Sequence, residues 1–182
     1  LPEAIRFFQH ALRSFEELEN KDGMSACNTN IGLLFERIHR YKDAIIYHKK
    51  AIIISKESDN YIGIANAYHN AAGSYSKIDS IDLSLEYFRK SLIIFLKHNN
   101  KVGIESAYNN IGFIYQQKLE YDSSLIYYNK AVILQKEINA IGGMANTYSN
   151  LSVIYFERNK IDLAEKYAFE GYEYALEAEN ME

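Results

Sequence analysis

The chain has 182 residues, 48% of them hydrophobic, a formal net charge of −4 and a single proline. That hydrophobic content supplies a packed core and excludes intrinsic disorder, and the length suits one domain or one continuous array of repeats. Mild acidity without any cluster of Lys and Arg excludes a surface built for nucleic acid or anionic membrane, and the longest apolar run, Leu92 to Leu96, is far too short to span a bilayer.

The first segment, Pro2 to Leu18, reads as a helix, with proline in the first turn where a missing N–H costs little. Its apolar residues Ile5, Phe8, Leu12 and Phe15 fall three and four apart and so share one face. A break at Asn20 to Gly23 ends it. The spacing predicts a second helix from about Met24 to His39 and a third from about Lys42 to Glu57. The same break returns at Asn60 and Asn100, and near Asn139 without its asparagine. Each interval splits at its middle, at Arg40, Ser80, Glu120 and Lys160. The chain is therefore expected to be a run of helix pairs, each helix about sixteen residues and about 24 Å long.

A forty-residue period underlies this pattern. Its clearest copy is Ala107 to Tyr115, A-Y-N-N-I-G-F-I-Y, with relatives at Ala67 to Tyr75, Asn146 to Tyr155 and, more worn, Ala26 to Phe35. Small residues recur in register. In the first helix of each pair they are Gly32, Ala72, Gly112 and Ser152; in the second they are Ala44, Ser84, Ser124 and Ala164, then Ala51, Ser91, Ala131 and Gly171. Small side chains let helices approach closely, and Phe35, Tyr75, Tyr115, Tyr155, Phe88 and Tyr128 fill the space around them. His48 stands where Phe88 stands one period later, which reads as packing rather than metal binding. Gly23, Gly63, Gly103 and Gly143 suit a tight start to the first helix and a close backbone approach. Asp82, Asp122 and Asp162 are expected to cap the second helices.

Extended backward, the register places Ala4, Phe8 and Ala11 with Ala44, His48 and Ala51. Residues 1–20 are then the second helix of a truncated repeat, followed by repeats at 21–60, 61–100, 101–140 and 141–182, all in one array. The acidic segment from Ala164 onward has no obvious capping helix, so both ends read as cuts from something longer.

The pattern resembles the tetratricopeptide repeat family: Tyr108, Ile111-Gly112 and Tyr115 in helix A, then Ser124, Tyr128 and Ala131 in helix B. Two departures stand out, a forty-residue unit and Lys56, Leu96 and Lys136 where the family closes its repeat with proline. Both fit the longer helices found in bacterial signalling proteins and peptide-responsive regulators. The resemblance implies an all-α fold, an α-solenoid in which stacked antiparallel helix pairs wind into a right-handed superhelix. It also implies a concave groove lined by helix A, where extended peptides or partner segments bind.

Taking Tyr108 as the packed side, helical geometry puts Ser106, Asn109, Asn110, Phe113, Gln116 and Gln117 on the other side. Transferred by period, the candidate partner-binding residues are Asn30, Asn66, His69, Asn70 and Lys77 in the first half of the chain. In the second half they are Ser106, Asn109, Asn110, Phe113, Gln117, Asn146, Asn150, Val153 and Phe156. Asn30, Asn70, Asn110 and Asn150 form a ladder of amides able to pair with a peptide N–H and C=O at once. The alternative is that each bonds a neighbouring helix and orders the stack. No Lys or Arg stands at Asn70, Ser106 or Asn110, so a carboxylate clamp for an acidic C-terminal tail is not expected.

Catalytic groupings are absent from the sequence. The five histidines lack HExxH or CxxC neighbours, no phosphate-binding loop is present, and Cys27 alone forms neither an internal disulfide nor a zinc site. The expectation is a non-enzymatic scaffold without cofactor or metal. Its partner would be a protein or extended peptide, with neither nucleic acid nor membrane insertion. A cytoplasmic location is expected, the outer portion of a membrane sensor being the alternative. A second functional reading is an assembly module that self-associates through uncapped ends or the convex side.

Overall fold

In the computed structural model, residues 2–180 are described and fall into helices joined by short turns. They are α1 (Pro2–Glu17), α2 (Lys21–Arg37), α3 (Tyr41–Glu57), α4 (Tyr61–Lys77), α5 (Ile81–Lys97), α6 (Lys101–Gln117), α7 (Tyr121–Glu137), α8 (Ile141–Glu157) and α9 (Ile161–Glu179). None is long and apolar enough to cross a membrane. The chain divides into two compact units, Leu1–His98 and Asn99–Glu182.

The turns are the same device repeated every twenty residues. Their middle residues, Glu19, His39, Asp59, Asp79, Asn99, Leu119, Asn139 and Asn159, take positive φ between 51 and 60°. This left-handed residue reverses the chain so that the next backbone N–H returns to a carbonyl of the last helical turn, as from Arg40 to Phe35 at 2.9 Å and from Asn60 to Ser55 at 2.9 Å. None of the glycines of the described residues has positive φ. They sit inside helices.

The asparagines that mark the sequence breaks are helix caps. Oδ1 of Asn20, Asn60 and Asn100 accepts from the backbone N–H of Gly23, Gly63 and Gly103 at 2.9, 2.8 and 2.9 Å. Asn60 also donates from Nδ2 to Asp22, which Ser58 bonds as well; these two bonds hold the Asp22 carboxyl below its ordinary pKa. The expected caps of the second helices are corrected. Their N-cap residues are Arg40, Ser80, Glu120 and Lys160, none of which makes a side-chain cap bond. Asp82, Asp122 and Asp162 lie inside the first turn, where they meet the helix dipole, and Asp122 pairs with Arg158 at 2.7 Å. The first-turn glycines likewise serve close approach and not chain entry. A Cβ on Gly23 would strike the ring of Phe15, one on Gly63 would strike Ser55, and one on Gly143 would lie 3.0 Å from Nε2 of Gln135.

In the first unit, α2 packs on α1, α3 and α4, while α4 packs on α3 and α5. In the second, α6 packs on α7 and α8, and α8 on α7 and α9. Helix pairs fit by opposed sizes at one register. Gly32 faces the ring of His48 and Gly112 the ring of Tyr128, so close that a Cβ at either glycine would overlap the ring. Between the repeats, Ile31 and Ala44 build one core with Phe8 packed against it, and Tyr128, Met144, Leu151 and Ile154 build another.

Nine of the tyrosines follow the same register. Tyr87 lies between Tyr68 and Tyr75 at centroid distances of 5.4 and 5.1 Å, Tyr127 between Tyr108 and Tyr115 at 6.1 and 5.5 Å, and Tyr167 between Tyr148 and Tyr155 at 5.7 and 5.1 Å. Lysines lie over these rings, Lys90 on Tyr68 and Tyr87 and Lys130 on Tyr108 and Tyr127.

Candidate functional site

Each first helix of a pair carries one stripe of exposed and half-buried residues, at spacings of four, three and four residues, which is a single face of an α-helix. In the first unit the stripe holds Asn30, Leu33 and Arg37 on α2, with Asn66, Asn70, Gly73 and Lys77 on α4. In the second it holds Ser106, Asn110, Phe113 and Gln117 on α6, with Asn146, Asn150, Val153 and Glu157 on α8. Phe113 is 37% exposed and Val153 45%. A Cβ at Gly73 would meet nothing within 4 Å, so the face is open there.

The four ladder asparagines are all half-buried. Nδ2 of Asn110 donates to the carbonyl of Ser106 at 2.9 Å, one turn back in its own helix. Among the described residues the side chains of Asn30, Asn70 and Asn150 make no hydrogen bond. Three of the four rungs therefore do not tie neighbouring helices together.

Two expected groove residues turn toward the packing. His69 lies edge-on to Phe88, 5.0 Å away, and near Phe95 on α5; burial there pulls its pKa down to about 4, against a weaker pull upward from Glu36. Asn109 is half-buried, and its Oδ1 is shut off from solvent. Phe156 is 63% exposed. Gln116, also expected to look away from the packing, accepts from the Tyr128 hydroxyl at 2.8 Å. The physical reason is length. At this register a Gln or Glu side chain spans the small-residue seam and satisfies the polar ring opposite.

Two polar pairs between helices went unread in the sequence. Ser25 and Ser55 share a hydrogen bond inside the α2–α3 contact, and Ser25 also donates to the Ala51 carbonyl at 3.2 Å. Glu105 and Gln135 meet at the same register between α6 and α7, with Gln135 Nε2 donating to Glu105 Oε2 at 2.8 Å. Burial holds the Glu105 carboxyl above its ordinary pKa, although the Gln135 bond pulls the other way. The available signal was the period itself, which aligns Ser25 with Glu105 and Ser55 with Gln135 at both ends of each pair.

Helix pairs stacked in one repeating register define an all-α solenoid, a fold that presents a row of equivalent helix faces. Residues 25–97 and 103–177 match the tetratricopeptide repeat, and the chain belongs to that family. It is similar in structure to BtubC (BKLC) from P. vanneervenii, with a TM-score of 0.84 at 18% identity over 94% of this chain and 72% of that one. Aspartyl phosphate phosphatase F from Bacillus subtilis gives a TM-score of 0.87 at 18% identity, over 96% of this chain and 46% of that one. The Rap conjugation gene regulator of the plasmid pLS20, solved in complex with the Phr* peptide, gives 0.81 at 21% identity, over 96% and 48%. The chain thus spans about half the length of the last two proteins. At these identities the likeness is one of fold. Compared by sequence with curated proteins, the chain finds no match.

Proposed function

We propose that the chain is a non-catalytic scaffold, part of a larger regulatory protein, in which each unit binds an extended protein or peptide segment, the first along the open stripes of α2 and α4 and the second along those of α6 and α8. The observation that carries this reading is the state of the ladder amides: Asn30, Asn70 and Asn150 are held half-buried on open helix faces without an intramolecular partner for either end of the amide. An extended strand offers an N–H and a C=O at each residue, which is the complement of an asparagine side chain. Phe113 and Val153 would receive apolar side chains of the ligand, and Arg37 and Lys77 place positive charge at the helix ends of the first unit. The peptide held by the pLS20 regulator lends this reading support by analogy of fold. Self-association by continued stacking is disfavoured by Glu165, which occupies on α9 the register of the buried Ile45 and Leu85.

Panning a phage-displayed library of linear peptides on the chain provides ligands for the test. Calorimetry on the selected peptides should show about tenfold weaker binding for Asn70→Ala in peptides held by the first unit and for Asn150→Ala in peptides held by the second, the value of one hydrogen-bonded rung, with helicity by circular dichroism unchanged. Unchanged affinity in both variants, or a library that returns no binder, overturns the proposal.

A further inference from the structure

Three successive rungs of the stripes fall at one register, and the two units fill them differently. Asparagine holds the first in both, as Asn30 and Asn70 in the first unit and Asn110 and Asn150 in the second. The next rung is Leu33 and Gly73 in the first unit, against Phe113 and Val153 in the second. The last is Arg37 and Lys77, against Gln117 and Glu157. Leu33, Phe113 and Val153 are 37%, 37% and 45% exposed, so the middle rung projects an apolar side chain from three helices and leaves α4 bare. A glycine inside a helix weakens it relative to alanine, and the packing does not call for one at position 73. Gly32, Gly63 and Gly112 make room for His48, Ser55 and Tyr128, whereas a Cβ at Gly73 would meet no atom within 4 Å. Gly142 has open space as well, but it stands in the first turn of α8, ahead of these rungs. Ser74, the residue after Gly73, donates to Glu36 on α2 and so joins the two helices beside the gap. What remains on α4 is a notch left by one missing side chain. Asn70 stands one turn before it, Lys77 one turn after, and Leu33 at the same register on α2.

We propose that Gly73 is the specificity-determining residue of the first unit: the notch over it takes one large apolar side chain of the bound segment, of the size of Leu, Met or Phe, with an acidic residue beside it. An extended strand paired through its backbone with Asn70 points alternate side chains at this face. With no Cβ in the way, a branched chain or a ring reaches the backbone of α4, and Leu33 offers it apolar surface at the same register. The charge of the neighbouring residue follows from the last rung. Arg37 and Lys77 stand exposed at the same level on α2 and α4, and neither has an ion-pair partner among the described residues. Both suit the helix dipole, and both are free to meet a carboxylate. The second unit presents the reverse, with Phe113 and Val153 filling the rung and Glu157 in place of a cation, so the two units select different segments. The inference rests on the reading that this helix face takes the ligand.

The test compares two selections from one phage-displayed library of linear peptides, on the parent chain and on Gly73→Leu, which copies Leu33 of the preceding repeat. Peptides that bind the parent and weaken in Asn70→Ala are those held by the first unit. They should share one large apolar residue next to Asp or Glu, and calorimetry should find them about ten- to a hundredfold weaker on Gly73→Leu. Shortening that residue to Ala in the peptide should make the two chains bind it about equally. Peptides selected on Gly73→Leu should carry Gly or Ala at that place. Lys77→Glu should weaken the parent-selected peptides about threefold, and less at high salt. Circular dichroism should show the helices of Gly73→Leu intact, since its side chain enters open space; if they are not, the smaller Gly73→Ala decides. First-unit peptides that ignore the substitution, or that lose the same affinity whatever the size of the residue, overturn the notch, and so do peptides with Lys or Arg beside the large residue. Those outcomes leave the scaffold reading standing. A library that returns no peptide sensitive to Asn70→Ala overturns the binding of a segment by the first unit, and the notch with it.

Discussion

Nε2 of His48, fully buried on α3, lies 3.2 Å from Oε1 of Glu36 on α2, and the same oxygen accepts from Ser74 on α4. A carboxylate only accepts, so the His48 proton sits on Nε2. Three helices of the first unit are joined at one oxygen. Glu36→Ala should destabilise the chain by about 1–3 kcal/mol in urea unfolding, because it leaves a buried imidazole without a partner. The pair Glu36→Ser/His48→Phe copies Ser76 and Phe88 of the next repeat and should recover most of that loss. A single variant as stable as the parent would mean that the bond contributes nothing.

Ala140 is the one first-helix cap position that lost its asparagine. Its backbone, φ −82° and ψ 73°, is close to that of Asn60 at −79° and 86°. Ala140→Asn should place Oδ1 on the N–H of Gly143 and stabilise the chain by about 1 kcal/mol, and Asn60→Ala should cost about as much. Thermal unfolding of both variants checks the pair of signs.

Leu119 turns the chain with φ of 59°, a conformation that favours glycine and asparagine, and its side chain is exposed. Leu119→Asn, the residue found at Asn159, should raise stability by about 1 kcal/mol. A lower unfolding midpoint would show that the leucine is held by contacts that outweigh the strain.

Gly73 and Gly112 separate the two uses of a helical glycine. Gly73→Ala enters open space and should stabilise α4 by about 0.5–1 kcal/mol. Gly112→Ala puts its methyl 2.8 Å from the Tyr128 ring and should cost about 1–3 kcal/mol as α6 and α7 separate. Equal effects in denaturant would refute the seam.

Acid should weaken the first unit through His69. Its pKa falls from the ordinary 6.5 to about 4 on folding. The unfolded chain therefore takes up a proton first, and the stability present above pH 6.5 is lost as pH drops toward 4. His69→Asn, the residue at Asn109, should flatten the pH dependence of the urea midpoint across that window. Glu105 has the opposite sign: its raised pKa makes stability fall as pH climbs above 4.5, a slope that Glu105→Gln removes.

The period, the helix pairs, the family and the stripe carrying Asn30, Asn70, Asn110 and Asn150 were legible in the sequence. A repeat repeats its contacts, so each aligned position reports its environment several times over. The helix starts were legible too, although Asn60 and Asn100 read as breaks before the structure showed them accepting from Gly63 and Gly103.

Which polar side chains face solvent and which cross a seam was not legible. A wheel fixes direction around a helix to within a residue's width, and His69, Asn109 and Gln116 fall at the boundary between the open and packed sides. Their fate was decided by the helix opposite: Phe88 and Phe95 receive the ring of His69, and the Tyr128 hydroxyl takes Gln116. The sequence by itself determined a solenoid of helix pairs with a polar face, because periodicity and small-residue register follow from local geometry. Only the tertiary structure decided that Asn70 is left without a side-chain partner while Glu105 and Gln135 share a buried bond, since that depends on how near two helices come and which atoms meet there.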